Sequence, residues 1–165
     1  MSFFKGIIFL TSLLVLSRIV PHPPNFTPIL AGIIFLPFIK KDLTFALMVP
    51  LASMIISDLV IGMHSLMLWT YGSLMILSLI SFFFYQDNFK RVGTLALISP
   101  MIFFILSNFG VWINSNSYSQ DMEGLIACYV NAIPFYTSSA LACILFATIF
   151  YLIKISLTRK FIQEL

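Results

Sequence analysis

Charge is the scarcest commodity in this 165-residue chain. Asp, Glu, Lys and Arg together make up 9 % of it, with six acidic residues against nine basic ones. Soluble domains carry about a quarter charged residues, so this chain cannot cover its own surface in water. That excludes a soluble enzyme and a nucleic-acid binder. Cysteine is nearly missing too, with only Cys128 and Cys143. Two are too few for a disulfide framework, and a helical path between them holds them more than about 20 Å apart. A secreted disulfide scaffold is excluded. No nucleotide-binding loop, zinc-protease helix or nucleophile elbow occurs. The acids are too sparse for a paired-carboxylate site at depth. No flexible linker, low-complexity tract or internal repeat is visible.

What the chain has instead is apolar mass. Hydrophobic residues make up 60 % of it, 18 of them Phe, and the mean hydropathy is +1.03. Such a composition fits the bilayer, and the chain reads as an integral membrane protein. A spanning helix needs about 20 apolar residues. Four runs qualify, at 43–62, 66–85, 92–113 and 138–156. A fifth, 3–19, is slightly shorter. A sixth, 28–39, is only about 18 Å long as a helix, with Pro28 suited to its first turn. The expectation is an all-α, polytopic membrane helix bundle of about six spans, forming one domain over 1–165. A short interfacial helix is expected at 125–136, after the polar outer loop 114–124. The first run resembles a signal peptide, but Arg18 stands where a small-residue cleavage site belongs, so it reads as retained.

Basic residues orient the bundle. With six spans, Lys5, Lys40, Lys41, Lys90, Arg91, Lys154, Arg159 and Lys160 fall on one side and only Arg18 on the other. Both termini are then cytoplasmic, in the cell (inner) membrane. A five-span topology, in which 28–39 does not cross, scores equally well with Lys5 as its one exception. Six is preferred, because non-helical backbone exposed to lipid is costly.

With six spans the unusual polar residues gather at the outer end: Arg18, His22, Asn25, Asp58, His64, Asn108 and Trp112. The inner halves are almost purely apolar. A pore would spread polar groups through the full depth, so this pattern points to a cavity open outward and closed below. Arg18 and Asp58 are the sharpest pair, since ionisable groups in a membrane must pair or face water. They read equally as the lining of a binding site and as a structural tie between two helices. His22 and His64 lack Cys or carboxylate companions at ligand spacing, so hydrogen bonding or ligand contact outranks a metal site. Asn108 and Trp112 are four apart and share a face. They suit a ligand ring or an interfacial aromatic belt. Cys143 reads as core and Cys128 as core or a soft ligand. The serine pair Ser53 and Ser57 allows close helix approach.

Four stretches resemble blocks of an uncharacterised family of small bacterial membrane proteins. They are Arg18-Ile19-Val20-Pro21-His22-Pro23-Pro24-Asn25-Phe26-Thr27-Pro28, the run Pro50 to His64 through Ser57-Asp58, Ser107-Asn108-Phe109-Gly110-Val111-Trp112, and Gly124 to Phe135 through Cys128-Tyr129. In size, topology and outer polar cluster the chain is also similar to the S components of energy-coupling-factor (ECF) vitamin transporters. That resemblance implies a subunit that captures a vitamin-like solute from outside and works with a transmembrane coupling subunit and paired ATPases. Cobalamin is one candidate solute, with His22, His64 or Cys128 within reach of cobalt. The small-residue spacing that docks the coupling subunit is not formed by Thr11, Ser12 and Ser17, so a solitary transporter stays open.

The first expectation is therefore a substrate-binding membrane subunit, with no cofactor, no catalytic residue and no nucleic-acid partner. The second is a structural or assembly subunit whose polar cluster only ties helices. The third is an enzyme at the outer face with His64 as base and Asp58 as its orienter, ranked last because no nucleophile is evident. Helix count is testable directly. A cysteine at position 25 in a Cys-free background should react with an impermeant thiol reagent added outside if there are six spans. It should react only after lysis if there are five.

Overall fold

A computed structural model describes residues 3–114 and 116–163, the side chains of Phe3 and of 157–163 excepted. Ser115 of the expected outer loop lies outside the described residues, as do the side chains of Arg159 and Lys160. The described chain holds six helices: α1 (Phe3–Ile19), α2 (Ile29–Ile39), α3 (Leu43–Ile61), α4 (Met67–Phe83), α5 (Phe89–Asn114) and α6 (Met122–Gln163). No strand occurs among the described residues. Three helices are long and apolar enough to cross a membrane: Leu43–Ile61, Phe89–Asn114 and the Met122–Ser156 part of α6.

The shortest helix holds the middle. α2 has 11 residues, about 16 Å, and packs against α3, α4, α5 and α6. All of it is buried except Gly32, Phe38 and Ile39. A helix that is apolar all round belongs inside a bundle, and its neighbours supply that interior. The Ser81 hydroxyl of α4 reaches back to the Ile33 carbonyl of α2 at 3.1 Å. Pro28 sits at the N-cap position rather than inside the first turn. Asp42 caps α3, its carboxylate accepting from the Phe45 N–H at 2.9 Å.

Chain direction follows from who meets whom. Arg18, at the C-terminal end of α1, bonds Asp58 near the C-terminal end of α3. α1 and α3 therefore run the same way. α2 carries the chain back between them: Leu30 lies by Arg18, while Phe38 stacks edge-on against Tyr85, just beyond α4. The same far end gathers an Asp87–Lys154 ion pair, Lys154 over the Phe38 ring, Lys41 over the Tyr85 ring and the Phe89–Tyr151 contact.

Several boundaries differ from the sequence reading, among them the end of α4 at Phe83 instead of 85 and of α6 at Gln163 instead of 156. α5 begins at Phe89 instead of 92, with the Asn88 side chain accepting from the Arg91 N–H at 2.8 Å as a cap. Another difference is larger. Residues 125–136 and 138–156 are not two elements but one helix of 42 residues, with Pro134 inside. Pro134 withholds one backbone donor, yet Tyr129 and Tyr136 flank it and both pack on the Phe104 ring of α5. Those contacts brace the helix against α5 on both sides of the proline. Asp121 starts this helix, its carboxylate accepting from the Gly124 N–H and the Ser119 hydroxyl, each at 2.8 Å. These bonds hold Asp121 below its usual carboxylate range, the Gly124 N–H contributing most.

α4 and α5 meet at Gly110. A Cβ there would overlap the Cβ and indole of Trp69, which must give way as a whole. Gly72, in the same helix as Trp69, faces open space. Gly110→Ala should cost about 1–3 kcal/mol through overpacking, read as a lowered midpoint of thermal unfolding in detergent. Gly72→Ala should stay within about 0.5 kcal/mol of the parent.

Candidate binding site at the Arg18 end

The site begins with a buried carboxylate. Asp58 has a side chain only 2 % exposed, where an unpaired charge would cost several kcal/mol. Its two oxygens are served separately. Oδ1 lies 2.7 Å from Arg18 Nη1 as an ion pair, and Oδ2 accepts from the Tyr71 hydroxyl of α4 at 2.7 Å. His64 Nε2 stands 3.7 Å from Oδ2, too long for a hydrogen bond but within ion-pair range when the ring is protonated. Three helices are thus tied at one point. Arg18 Nη1 also donates to the Ser57 hydroxyl and, at 3.4 Å, to the Met54 carbonyl. The Ser57 hydroxyl donates in turn to the Ser53 carbonyl one turn earlier, at 2.6 Å.

Arg18 forms one wall of a cavity of about 260 Å³. His22, Asn25, Thr70 and Ser139 add polar wall, and Leu30 and Leu74 add apolar wall. The loop after α1 lies over it. His22 Nδ1 is 2.6 Å from the Val20 carbonyl. A carbonyl only accepts, so Nδ1 carries the proton and Nε2 of the neutral ring remains an acceptor. Asn25 has φ 61, a left-handed conformation that Asn tolerates better than most residues. It also lines a second cavity of about 370 Å³, with Asn108, Tyr118, Cys128 and Asn131.

The seven residues singled out in the sequence therefore divide. Arg18, His22 and Asn25 share the first cavity, Asp58 stands behind Arg18, and His64 lines neither cavity but stands 3.7 Å from Asp58. Asn108 faces the second cavity, its amide donating to the Phe104 carbonyl of its own helix at 2.8 Å. Trp112 lines neither. Its indole N–H donates to the Ser119 carbonyl at 2.9 Å, and its carbonyl accepts from Gln120, so it clasps the loop ahead of α6. Cys128 and Cys143 are both free and buried. No group of three or more His, Cys, Asp or Glu side chains gathers for a metal among the described residues. Sequence reasoning missed Tyr71, Thr70 and Ser139, which are common polar residues inside apolar runs. Only the fold reveals that they face the pair or the cavity.

An all-helical chain with three helices able to cross a membrane, and an ion pair buried at one end of the bundle, is the class these features define. Residues 2–164 match the profile of a family described as a family of unknown function (DUF6580), and the chain belongs to that family. Comparison with curated proteins and with solved structures returns no match.

Tyr71→Phe tests the tie across helices. It deletes one donor to a buried carboxylate and should cost about 1.5–3 kcal/mol, measured by unfolding in detergent. Trp112→Phe, whose bond is at the surface, should cost less than about 1 kcal/mol in the same assay.

Proposed function

We propose that this chain is a membrane-embedded substrate-binding subunit that captures a small, vitamin-like solute from the outer face of the cell membrane. The observation that carries the reading is the half-open cavity walled by Arg18 at the polar end of the bundle. The opposite end carries edge-on and tilted aromatic pairs and the Lys154–Asp87 ion pair. This polarity suits capture from one side and argues against a continuous pore.

Six crossings with both termini in the cytoplasm accompany the proposal. The shared direction of α1 and α3 supports that count, because the chain must return through α2 between them. Lys40, Lys41, Lys90 and Arg91 then lie on the cytoplasmic side. This layout is similar to that of ECF S components. The sequence holds no nucleotide-binding loop, so energy for uptake would come from a partner, a transmembrane coupling subunit with ATPases. The cavity volume lies just under the range of drug-sized ligand sites, about 300–1,000 Å³. That favours a compact solute over cobalamin.

A structural or assembly subunit is the second reading. Its specific support is that both oxygens of Asp58 already have partners within the protein, so the tie is complete without a ligand.

Mass spectrometry of small molecules extracted from the detergent-purified protein, with its ultraviolet–visible spectrum, separates the two. Capture predicts a stoichiometric solute in the parent that Arg18→Ala loses while its helical circular dichroism remains. A well-folded, ligand-free parent from cells grown in rich medium, with Arg18→Ala only less stable, favours the structural reading.

A further inference from the structure

The chemistry of the solute can be read from the part of Arg18 that Asp58 leaves unused. A guanidinium presents five N–H donors in a rigid fork. The ion pair and both hydrogen bonds that Arg18 makes to described residues run through Nη1, to Asp58, Ser57 and Met54. Nη2 and Nε have no protein acceptor among the described residues, yet they are not sealed in, since Thr11 supplies the one fully buried side-chain polar atom without a partner there. The Arg18 side chain is 17 % exposed and lines the cavity. A pair of parallel donors on this edge matches two coplanar acceptor oxygens.

The rest of the wall narrows the class. None of its residues is Asp or Glu, so a cationic solute finds no carboxylate there. Asp58 is behind the guanidinium with both oxygens engaged. Thr70 donates to the Leu66 carbonyl of its own helix, at 3.2 Å, which leaves Arg18 as the strongest free donor in the wall. Leu30, Leu74 and Phe103 supply an apolar surface beside it.

We propose that the captured solute is a compact carboxylate with an apolar body, its carboxylate seated on the Nη2–Nε edge of Arg18 and its body against Leu30, Leu74 and Phe103. Asp58 stays paired with Nη1 throughout, holding the fork in position. The proposal rests on the capture reading and adds the chemical class of the solute.

The test uses the full-length protein in mild detergent and three probes of one shape: benzoate, benzamide and benzylamine. Thermal unfolding is followed against probe concentration. Benzoate should raise the midpoint in a saturable way, benzamide should need about tenfold or more concentration for the same shift, and benzylamine should give none. Arg18→Met with Asp58→Leu removes the fork and its counter-charge together, a change that buried ion pairs often tolerate, and should abolish the benzoate shift. Should that pair fail to fold, Thr70→Leu narrows the cavity without touching the ion pair and must abolish the shift as well. Benzamide or benzylamine matching benzoate would overturn the carboxylate class and leave capture standing. Absence of a shift from all three, or a benzoate shift that survives in a folded variant, would also overturn it. Capture itself would still be decided by the co-purified solute.

Discussion

A carboxylate that is only 2 % exposed has to be neutralised locally, and Arg18 is the group that does it. Much of the polar end follows from that requirement. The pair links the C-terminal ends of α1 and α3 and so sets them parallel. Parallel neighbours joined in sequence need a returning segment, and α2 supplies it in 11 residues. Tyr71 brings α4 to the same carboxylate. Three helices thereby converge where the chain is otherwise apolar, and the space beside the guanidinium becomes the cavity. In a bilayer, helices gain little from hydrophobic attraction to one another, so a charged tie of this kind has unusual leverage over their arrangement.

The centre of the bundle obeys a different rule. α2 is apolar on every side and buried by four neighbours, and its short length is tolerable because those neighbours satisfy its surroundings. Where helices must come closest, small residues stand, as at Gly110 against Trp69 and at Ser81 against the α2 backbone. Among the described residues the ion pairs lie at the two ends, while the buried serines between them bond backbone carbonyls. At one end is a charged cavity under a short loop. At the other are aromatic rings with lysines laid over them, a common arrangement where a bundle meets a headgroup layer.

How much of this was legible in the sequence varies by feature. Helix positions were readable because long apolar runs leave few alternatives, and α1 and α2 fell within a residue of expectation. The Arg18–Asp58 pair was readable because charges are so rare here that two near the same depth point at each other. The continuity of α6 was not readable. Pro134 signals a break locally, and the contacts that override it, Tyr129 and Tyr136 on Phe104, come from another helix. Asn108 and Trp112 did share a helix face as their spacing required, yet their side chains turned to local carbonyls. Tyr71, 13 positions after Asp58, carried no periodic signal at all.

The central claim is that the Arg18–Asp58 pair organises the polar end as a coupled unit. A double-mutant cycle in detergent, with Arg18→Met, Asp58→Leu and both together, measures that coupling in one quantity. Arg18→Met should cost about 3–5 kcal/mol by stranding the buried carboxylate, Asp58→Leu less because the guanidinium faces the cavity, and the double change far less than their total. Additive losses would contradict the claim, because they would mean that the two residues stabilise the protein independently of each other.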